Sequence, residues 1–130
     1  MENKKNFDRW NKTKKDLHTG KERLFFHVRE VWFAHLGVNV GFEQDGSGEE
    51  FLRPVVILRK FNNEVCWILP LTRTDKKGPY YFRVSVGDKN SSVILSQIRL
   101  LDVKRLKYKI GHVEKKRFLK LKKSLKDLLS

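Results

Sequence analysis

The sequence has 130 residues, and its 29 lysines and arginines against 15 acids give a net charge of +14, which favours a polyanionic partner such as nucleic acid, an anionic membrane or an acidic protein. Its 39% hydrophobic and 12% aromatic residues exclude a disordered basic tail and predict one domain large enough to bury its own core. Cys66 is the only cysteine, so no internal disulfide can form, and without a signal peptide or an apolar run long enough to span a bilayer the chain is expected to be cytoplasmic.

The first 23 residues are mostly polar, with a few apolar side chains at helical spacing. Phe7, Trp10 and Leu17 fall on one face of a helix predicted from about Asn6 to His18. We interpret this helix as packing on the domain through its apolar stripe; the alternative is a basic arm that contacts nucleic acid or a partner. The sequence therefore predicts a basic helical extension over residues 1–27 and a main domain over residues 28–130.

The first predicted strand is followed by a long acidic loop. Arg29–Leu36 is rich in β-branched and aromatic residues, which predicts a strand, and glycines end it. The segment Gly41–Phe51 holds three glycines and four acids, a composition typical of a loop. Long loops inside a compact domain are often functional.

An apolar hairpin over Arg53–Thr72 is the feature around which the chain is organised. Its two apolar runs flank Asn62 and Asn63, which favour a turn that needs positive φ. Cys66 lies in the second run and is interpreted as a small buried core residue. If the hairpin closes at the asparagines, Arg53 and Thr72 meet at the same edge of the sheet. This open end is therefore predicted to be a site.

Further strands are predicted in the second half of the chain. A loop over Arg73–Pro79 precedes Tyr81–Val86, where polar and apolar residues alternate as in a half-buried strand. Turn residues over Gly87–Asn90 then separate it from the next predicted strand, Ser92–Leu101. Tyr108–Ile110 is predicted to be a short edge strand.

A basic amphipathic helix is predicted over Val113–Leu129. Its apolar stripe consists of Phe118, Leu121, Leu125, Leu128 and Leu129. Lysines and arginines crowd its other faces, which indicates either a solvated face or a surface whose like-charge repulsion a polyanion would relieve. Five or six short strands with a helix at each end predict a small, mainly β barrel rather than a doubly wound sheet.

Several kinds of site find no support in the sequence. The four histidines are scattered without the spacing of metal ligands, and no second cysteine is present. The glycines of the acidic loop are not followed by the lysine of a phosphate-binding loop, and nothing points to a Ser-His-Asp triad. We therefore expect neither a metal nor a cofactor.

RNA cleavage by transesterification suits the residues that remain. In this reaction the neighbouring 2′-OH attacks phosphorus, so a site needs a proton acceptor and groups that stabilise the charged phosphorane. The guanidinium of Arg53 matches phosphate oxygens, and the hydroxyl of Thr72 can donate to the same group. Glu43, on the acidic loop, is the candidate proton acceptor. The alternative for Arg53 is a strand-end ion pair with Glu49 or Glu50.

An ordered set of motifs from roughly Val28 to Leu129 resembles the MazF/PemK toxins of type II toxin–antitoxin systems. The motifs are, in chain order, REVWFAHLGVNVGFEQDG, RPVVIL, ILPLT, LSQIRLLDVKRL and KIGHVEKKRFLKLKKSL. The resemblance implies an SH3-like barrel, usually a homodimer, that acts as a metal-independent endoribonuclease on single-stranded RNA and leaves 2′,3′-cyclic phosphate and 5′-hydroxyl ends. It also implies a cognate antitoxin with an acidic tail, which would complement the positive charge of this chain.

The resemblance further implies that Arg53, Thr72 and Glu43 are catalytic and that Gln97 lies near the substrate groove or the dimer contact. The predicted substrate-binding residues are Gln44, Arg73, Ser96, Gln97 and Arg99. Arg73 stands where many members have serine. Ile94 and Ser96 stand where some plasmid-borne members carry an arginine and an aspartate as acid and base, which shifts the weight of the chemistry to the three catalytic candidates.

Two other functions stay open at this point. One is a non-catalytic barrel that binds nucleic acid through the basic C-terminal helix. The other is a toxin of the same architecture that binds an enzyme such as DNA gyrase through its C-terminal end. Of the three, only the ribonuclease requires Arg53 and Thr72 at adjoining strand ends. In a ribonuclease, bases would be read by the loops Glu43–Leu52 and Arg73–Pro79, with stacking on aromatic side chains.

Overall fold

Short strands dominate the described part of the chain, and a helix follows them. A computed structural model describes residues 25–37 and 52–130. These residues form, in chain order, β1 (Glu30–His35), β2 (Leu52–Lys60), β3 (Val65–Thr72), β4 (Tyr81–Val86), β5 (Lys89–Ile94), β6 (Arg99–Asp102), a 3-10 turn (Val103–Arg105), β7 (Leu106–His112) and α1 (Lys115–Leu129). The predicted helix Asn6–His18 and the loop Gly41–Phe51 lie outside the described residues.

The strands form one antiparallel, strongly curved sheet in the order β4-β5-β3-β2-β1-β7, with β6 added beside β3. β3 therefore has β2 along one side and two successive partners along the other. Its first half pairs with β6, from Val65↔Asp102 to Ile68↔Arg99, and its end pairs with β5 at Thr72↔Ser92. The sheet is a half-barrel, which confirms the mainly β fold class with a C-terminal helix.

The two central strands are buried on both faces, which explains why their sequences are unbroken apolar runs rather than alternating ones. On β2, Val56 and Leu58 belong to the core that packs under α1, whereas Val55 and Ile57 belong to a second core on the other face. We call these the helix-side core and the far-side core. Cys66 lies in the far-side core and is fully buried, as predicted.

The predicted strand Ser92–Leu101 is wrong, because the chain breaks there into β5 and β6. Between these strands the amide of Gln97 donates to the carbonyl of Ile94 at 3.2 Å, closing a turn. The buried Leu95 is anchored by its amide, which donates to the carbonyl of Tyr80 at 2.8 Å. The break is required because β3 exchanges one partner strand for the other at this level of the sheet.

The two hairpins close differently from one another. Among the described residues outside glycine only Arg29 has positive φ, so the prediction of a positive-φ turn at the asparagines is wrong. Instead, the side chain of Asn62 accepts from the amides of Glu64 and Val65 at 2.7 and 3.0 Å, a local bond typical of asparagine. The β4–β5 hairpin turns at Gly87, whose φ of 64° requires glycine.

Helix α1 covers the helix-side core. Phe118, Leu121 and Leu125 are buried as predicted and Leu128 packs against the same core, but Leu129 is 77% exposed and does not belong to the stripe. The lysines of α1 lie on its solvent-exposed side. None of the helices in the described ranges is long and apolar enough to cross a membrane.

Candidate active site

The open end of the β2–β3 hairpin carries the two residues predicted to act on phosphate. Pairing of β2 with β3 ends at Val55↔Pro70, and the same register continued by two residues brings Arg53 opposite Thr72. Both side chains are half-buried. Beyond Pro70, which has no amide hydrogen to donate, β3 pairs with β5 instead. The ladder between β2 and β3 therefore stops before Arg53 and Thr72, which lie on the two sides of the open end of the hairpin. We call this open end the mouth.

The sheet extends this pair into a row of side chains that crosses five strands. Ala34 on β1 is opposite Arg53, Thr72 is opposite Ser92 on β5, and Ser92 is opposite Arg83 on β4. Directly opposed residues in antiparallel strands project from the same face. We call Ala34, Arg53, Thr72, Ser92 and Arg83 the cross-strand row. It continues the face that carries the far-side core, since Ala34 belongs to that core.

The hydroxyl of Thr72 is oriented by its own loop. Its Oγ1 accepts a bond from the amide of Thr74 at 3.3 Å. Because a hydroxyl has one hydrogen to donate besides its acceptor sites, this bond leaves the Thr72 hydrogen available for an anion in the mouth. With the permanently charged Arg53 opposite, the mouth offers two donors of the kind that bind a phosphate or a phosphorane.

No thiol chemistry is expected near this mouth. Burial, and to a smaller extent the charge of Asp102, raise the pKa of Cys66 to about 11 although Lys60 acts in the opposite direction. The thiol is protonated at neutral pH and is therefore a poor nucleophile. What the described mouth can do is bind a phosphate and stabilise added negative charge on it; a proton acceptor must come from elsewhere.

The other predicted site residues lie at different distances from the mouth. Arg73 follows Thr72 directly and is exposed. Ser96 and Gln97 lie in the exposed turn between β5 and β6, which passes beside the middle of β3, and Arg99 is paired with Ile68, four residues before Thr72. The predicted Glu43 and Gln44 lie outside the described residues, as do the alternative ion-pair partners of Arg53.

Sequence reasoning did not find the two other polar members of the cross-strand row, Ser92 and Arg83. The alternation over Tyr81–Val86 did place Arg83 on the outward face of its strand, and Arg83 is exposed. Its position in the row, however, depends on the register of β4 with β5 and of β5 with β3. That register is a long-range property, and no local motif announces it.

Ser92 is fully buried, and its Oγ has no hydrogen-bond partner among the described residues. Burying a hydroxyl without a partner destabilises the folded state. Replacing Ser92 with alanine is therefore expected to raise the free energy of unfolding by about 1 kcal/mol, as measured by urea denaturation. Ser91→Ala, at the neighbouring half-buried position, is the control and should be close to neutral. A less stable Ser92→Ala variant would show that the hydroxyl is paired.

Comparisons with known proteins agree with this architecture. Residues 28–129 match the family described as PemK-like, MazF-like toxin of type II toxin–antitoxin systems. A comparison with curated protein sequences finds no match.

Among solved structures, the fold is similar to MazF from Deinococcus radiodurans, with a TM-score of 0.67, 18% identity, and 82% of this chain and 97% of that chain covered. It is also similar to a mycobacterial endoribonuclease in complex with its cognate antitoxin, with a TM-score of 0.64, 17% identity and coverage of 81% and 95%. The Mycobacterium tuberculosis toxin MazF-mt6 is similar with a TM-score of 0.59 and 18% identity, and 76% of this chain and 94% of that chain are covered. At these identities the likeness establishes the fold.

Proposed function

The chain belongs to the PemK-like, MazF-like family of type II toxin–antitoxin toxins, and from this premise we propose that it is an endoribonuclease that cleaves single-stranded mRNA without a metal ion. The observation that carries the proposal is the placement of Arg53 opposite Thr72 at the mouth of the hairpin. A barrel that only binds nucleic acid has no need of a phosphate clamp at adjoining strand ends.

The reaction proposed is an internal transesterification. The 2′-oxygen attacks the adjacent phosphorus, the bond from phosphorus to the 5′-oxygen breaks, and the products carry a 2′,3′-cyclic phosphate and a 5′-hydroxyl. Arg53 and the Thr72 hydroxyl hold the phosphate and stabilise the negative charge that develops in the phosphorane. Glu43 is proposed as the base that removes the 2′-OH proton, which then has to be matched by a proton delivered to the leaving 5′-oxygen.

The proposed partners follow from charge and family. The net charge of +14 suits RNA, and we propose that Gln44, Arg73, Ser96, Gln97 and Arg99 contact it. The same charge suits an acidic antitoxin. A structurally similar mycobacterial endoribonuclease was solved in complex with its cognate antitoxin. A homodimer acting in the cytoplasm, and a division of the chain into a basic extension over residues 1–27 and a barrel domain over residues 28–130, belong to the same proposal.

A cleavage assay on defined RNA tests the proposal. We expect the purified protein to cut single-stranded RNA at preferred sequences in the presence of EDTA, and end mapping should find cyclic phosphates and 5′-hydroxyls. Thr72→Ala should lower the rate by about 10²-fold, whereas Thr72→Ser keeps the hydroxyl and should stay within about tenfold of the parent. Binding without cleavage would favour the non-catalytic barrel, and 5′-phosphate ends would exclude this mechanism.

A further inference from the structure

Arg83 ends the cross-strand row on the opposite side of Thr72 from Arg53. It is paired with Ser92, which is paired with Thr72, so all three side chains project from one face. Neighbouring strands in a sheet lie about 4.8 Å apart, which sets the Cα of Arg83 roughly 10 Å from that of Thr72 and roughly 15 Å from that of Arg53 along the curved sheet. At that spacing the two arginines lie on opposite sides of Thr72 and are too far apart to bind the same phosphate.

The backbone of Arg83 is fixed from behind by the helix. Arg117 on α1 donates from Nε and Nη2 to the carbonyl of Arg83 at 2.9 and 2.7 Å. The guanidinium of Arg117 also lies over the ring of Phe82, 4.2 Å from its centroid. β4 is an edge strand, and these contacts hold its free edge against α1. Arg83 is therefore presented from a rigid support, as a substrate-positioning group requires.

The guanidinium of Arg83 faces solvent and has a weak, replaceable partner. Its Nη1 donates to Asp75 of the Arg73–Pro79 loop at 2.5 Å, with the side chains 46% and 61% exposed. Ion pairs this exposed contribute little to stability, so a phosphate can displace Asp75 at small cost. A planar guanidinium binds phosphate as well as it binds carboxylate.

We propose that Arg83 binds a second phosphate of the RNA, next to the one held between Arg53 and Thr72, and that Asp75 forms an ion pair with Arg83 when RNA is absent. Arg83 is a substrate-positioning residue in this scheme: it fixes the direction in which the strand crosses the sheet and takes no part in the bond changes. The inference rests on the proposed ribonuclease function and adds a subsite to it.

Kinetics of single variants test the subsite. On a short RNA that contains a mapped cleavage site, Arg83→Ala should raise KM about tenfold and leave kcat within about a factor of two, since the lost contact is made equally before and during the reaction. The matched control is Lys123→Ala, which also removes one cation from an exposed ion pair, with Asp127 at 3.8 Å. It should leave both constants unchanged. Asp75→Asn should lower KM, because it frees Arg83.

A phosphate walk then locates the contact. Each phosphodiester of the same RNA is replaced in turn by a neutral methylphosphonate, and KM is measured for the parent and for Arg83→Ala. One substitution, at a linkage beside the cleaved bond, should weaken the parent about tenfold and leave Arg83→Ala unaffected, because the partner of Arg83 is already absent. The plot of log Kobs against log salt should also be about 0.7 shallower for Arg83→Ala, the value for one phosphate on a single strand.

The outcomes separate the two proposals. Suppose that the parent cuts RNA but Arg83→Ala has the parent KM, or that every methylphosphonate that weakens binding by the parent also weakens binding by that variant. The proposed subsite would then be wrong, and the proposed ribonuclease activity would stand. If Asp75→Asn raises KM to the same extent as Arg83→Ala, the pair acts on loop structure rather than on RNA, and the subsite is again wrong. A parent that neither binds nor cuts RNA overturns both proposals.

Discussion

Replacing Arg53 with alanine is expected to lower kcat for RNA cleavage about a thousandfold, because a phosphorane carries more negative charge than the phosphate it comes from and Arg53 is the fixed cation at the mouth. RNA affinity should fall much less, since we expect a surface with this net charge to contact several phosphates of the proposed substrate. Single-turnover cleavage at saturating protein measures the chemical step, and fluorescence anisotropy with a 2′-O-methyl analogue, which cannot react, measures binding.

Two further variants separate geometry from charge. Arg53→Lys keeps the cation but not the planar fork, and it should recover only part of the loss, about tenfold to a hundredfold below the parent. Arg59→Ala is the matched control, because Arg59 is on the same strand at its far end, where its guanidinium lies over the ring of Phe61 at 5.2 Å. It should keep the parent kcat. Equal losses in Arg53→Ala and Arg59→Ala would mean that net charge, and not the mouth, governs the rate.

The sequence predicts the mouth because it is a local structure. A hairpin that closes at one end determines which residues meet at the other, and the apolar runs of β2 and β3 left little choice of register. The mistaken turn geometry at Asn62 did not matter, since the asparagine side chain closes the same loop by a different bond. What the sequence predicted there was a pairing, and a pairing tolerates more than one turn conformation.

The rest of the cross-strand row is not local, and the sequence does not reveal it. The run SVILSQIRLL has no glycine or proline to mark the break between β5 and β6, so it was predicted as one strand. The break arises because β3 pairs with β6 at Ile68 and with β5 at Thr72, so the chain must leave one strand before it begins the other. Only that exchange brings Ser92 next to Thr72, and through Ser92 it brings Arg83 into the row.

The exchange of partners also explains why the proposed site lies at this point in the sheet. A strand held by neighbours along both sides offers no opening, whereas β3 loses β2 after Pro70 and gains β5 on the other side. The ladder between β2 and β3 does not extend to Arg53 and Thr72, and we propose that a phosphate binds between them. Apolar side chains of the two cores hold the rigid strands behind them.

β1, the strand beside Arg53, depends on a buried carboxylate, and this leads to the prediction with the largest effect on stability. Glu30 accepts bonds from the indole of Trp32 at 3.0 Å, the amide of His27 at 2.8 Å and the ammonium of Lys109 at 3.3 Å. It thus ties β1 to the preceding turn and to β7. The ring Nδ1 of His27 lies 3.2 Å from the same carboxylate.

Glu30→Gln is expected to lower the free energy of unfolding by about 2 kcal/mol at neutral pH. The glutamine replaces charge-assisted hydrogen bonds with neutral ones, and its side-chain NH2 group would face donors that the carboxylate now accepts from. Burial alone raises the pKa of the Glu30 carboxyl, but the bonds from Trp32, His27 and Lys109 outweigh it, so the pKa lies below its ordinary 4.5. A carboxyl whose pKa is lower folded than unfolded stabilises the protein fully above pH 4.5 and loses this contribution as the pH falls through the folded pKa.

Urea unfolding of the parent and of Glu30→Gln across this pH range measures the effect. The gap between the two should be widest near neutral pH and should shrink as the pH falls below 4.5, because the parent gains a proton on Glu30 that the variant cannot take up. Glu64→Gln, at an exposed turn position, controls for the loss of one carboxylate and should track the parent throughout. A gap that stays constant with pH would mean that the pKa of Glu30 is the same in the folded and the unfolded protein. The bonds to Glu30 would then not favour its carboxylate form, and the support of β1 beside Arg53 would rest on packing alone.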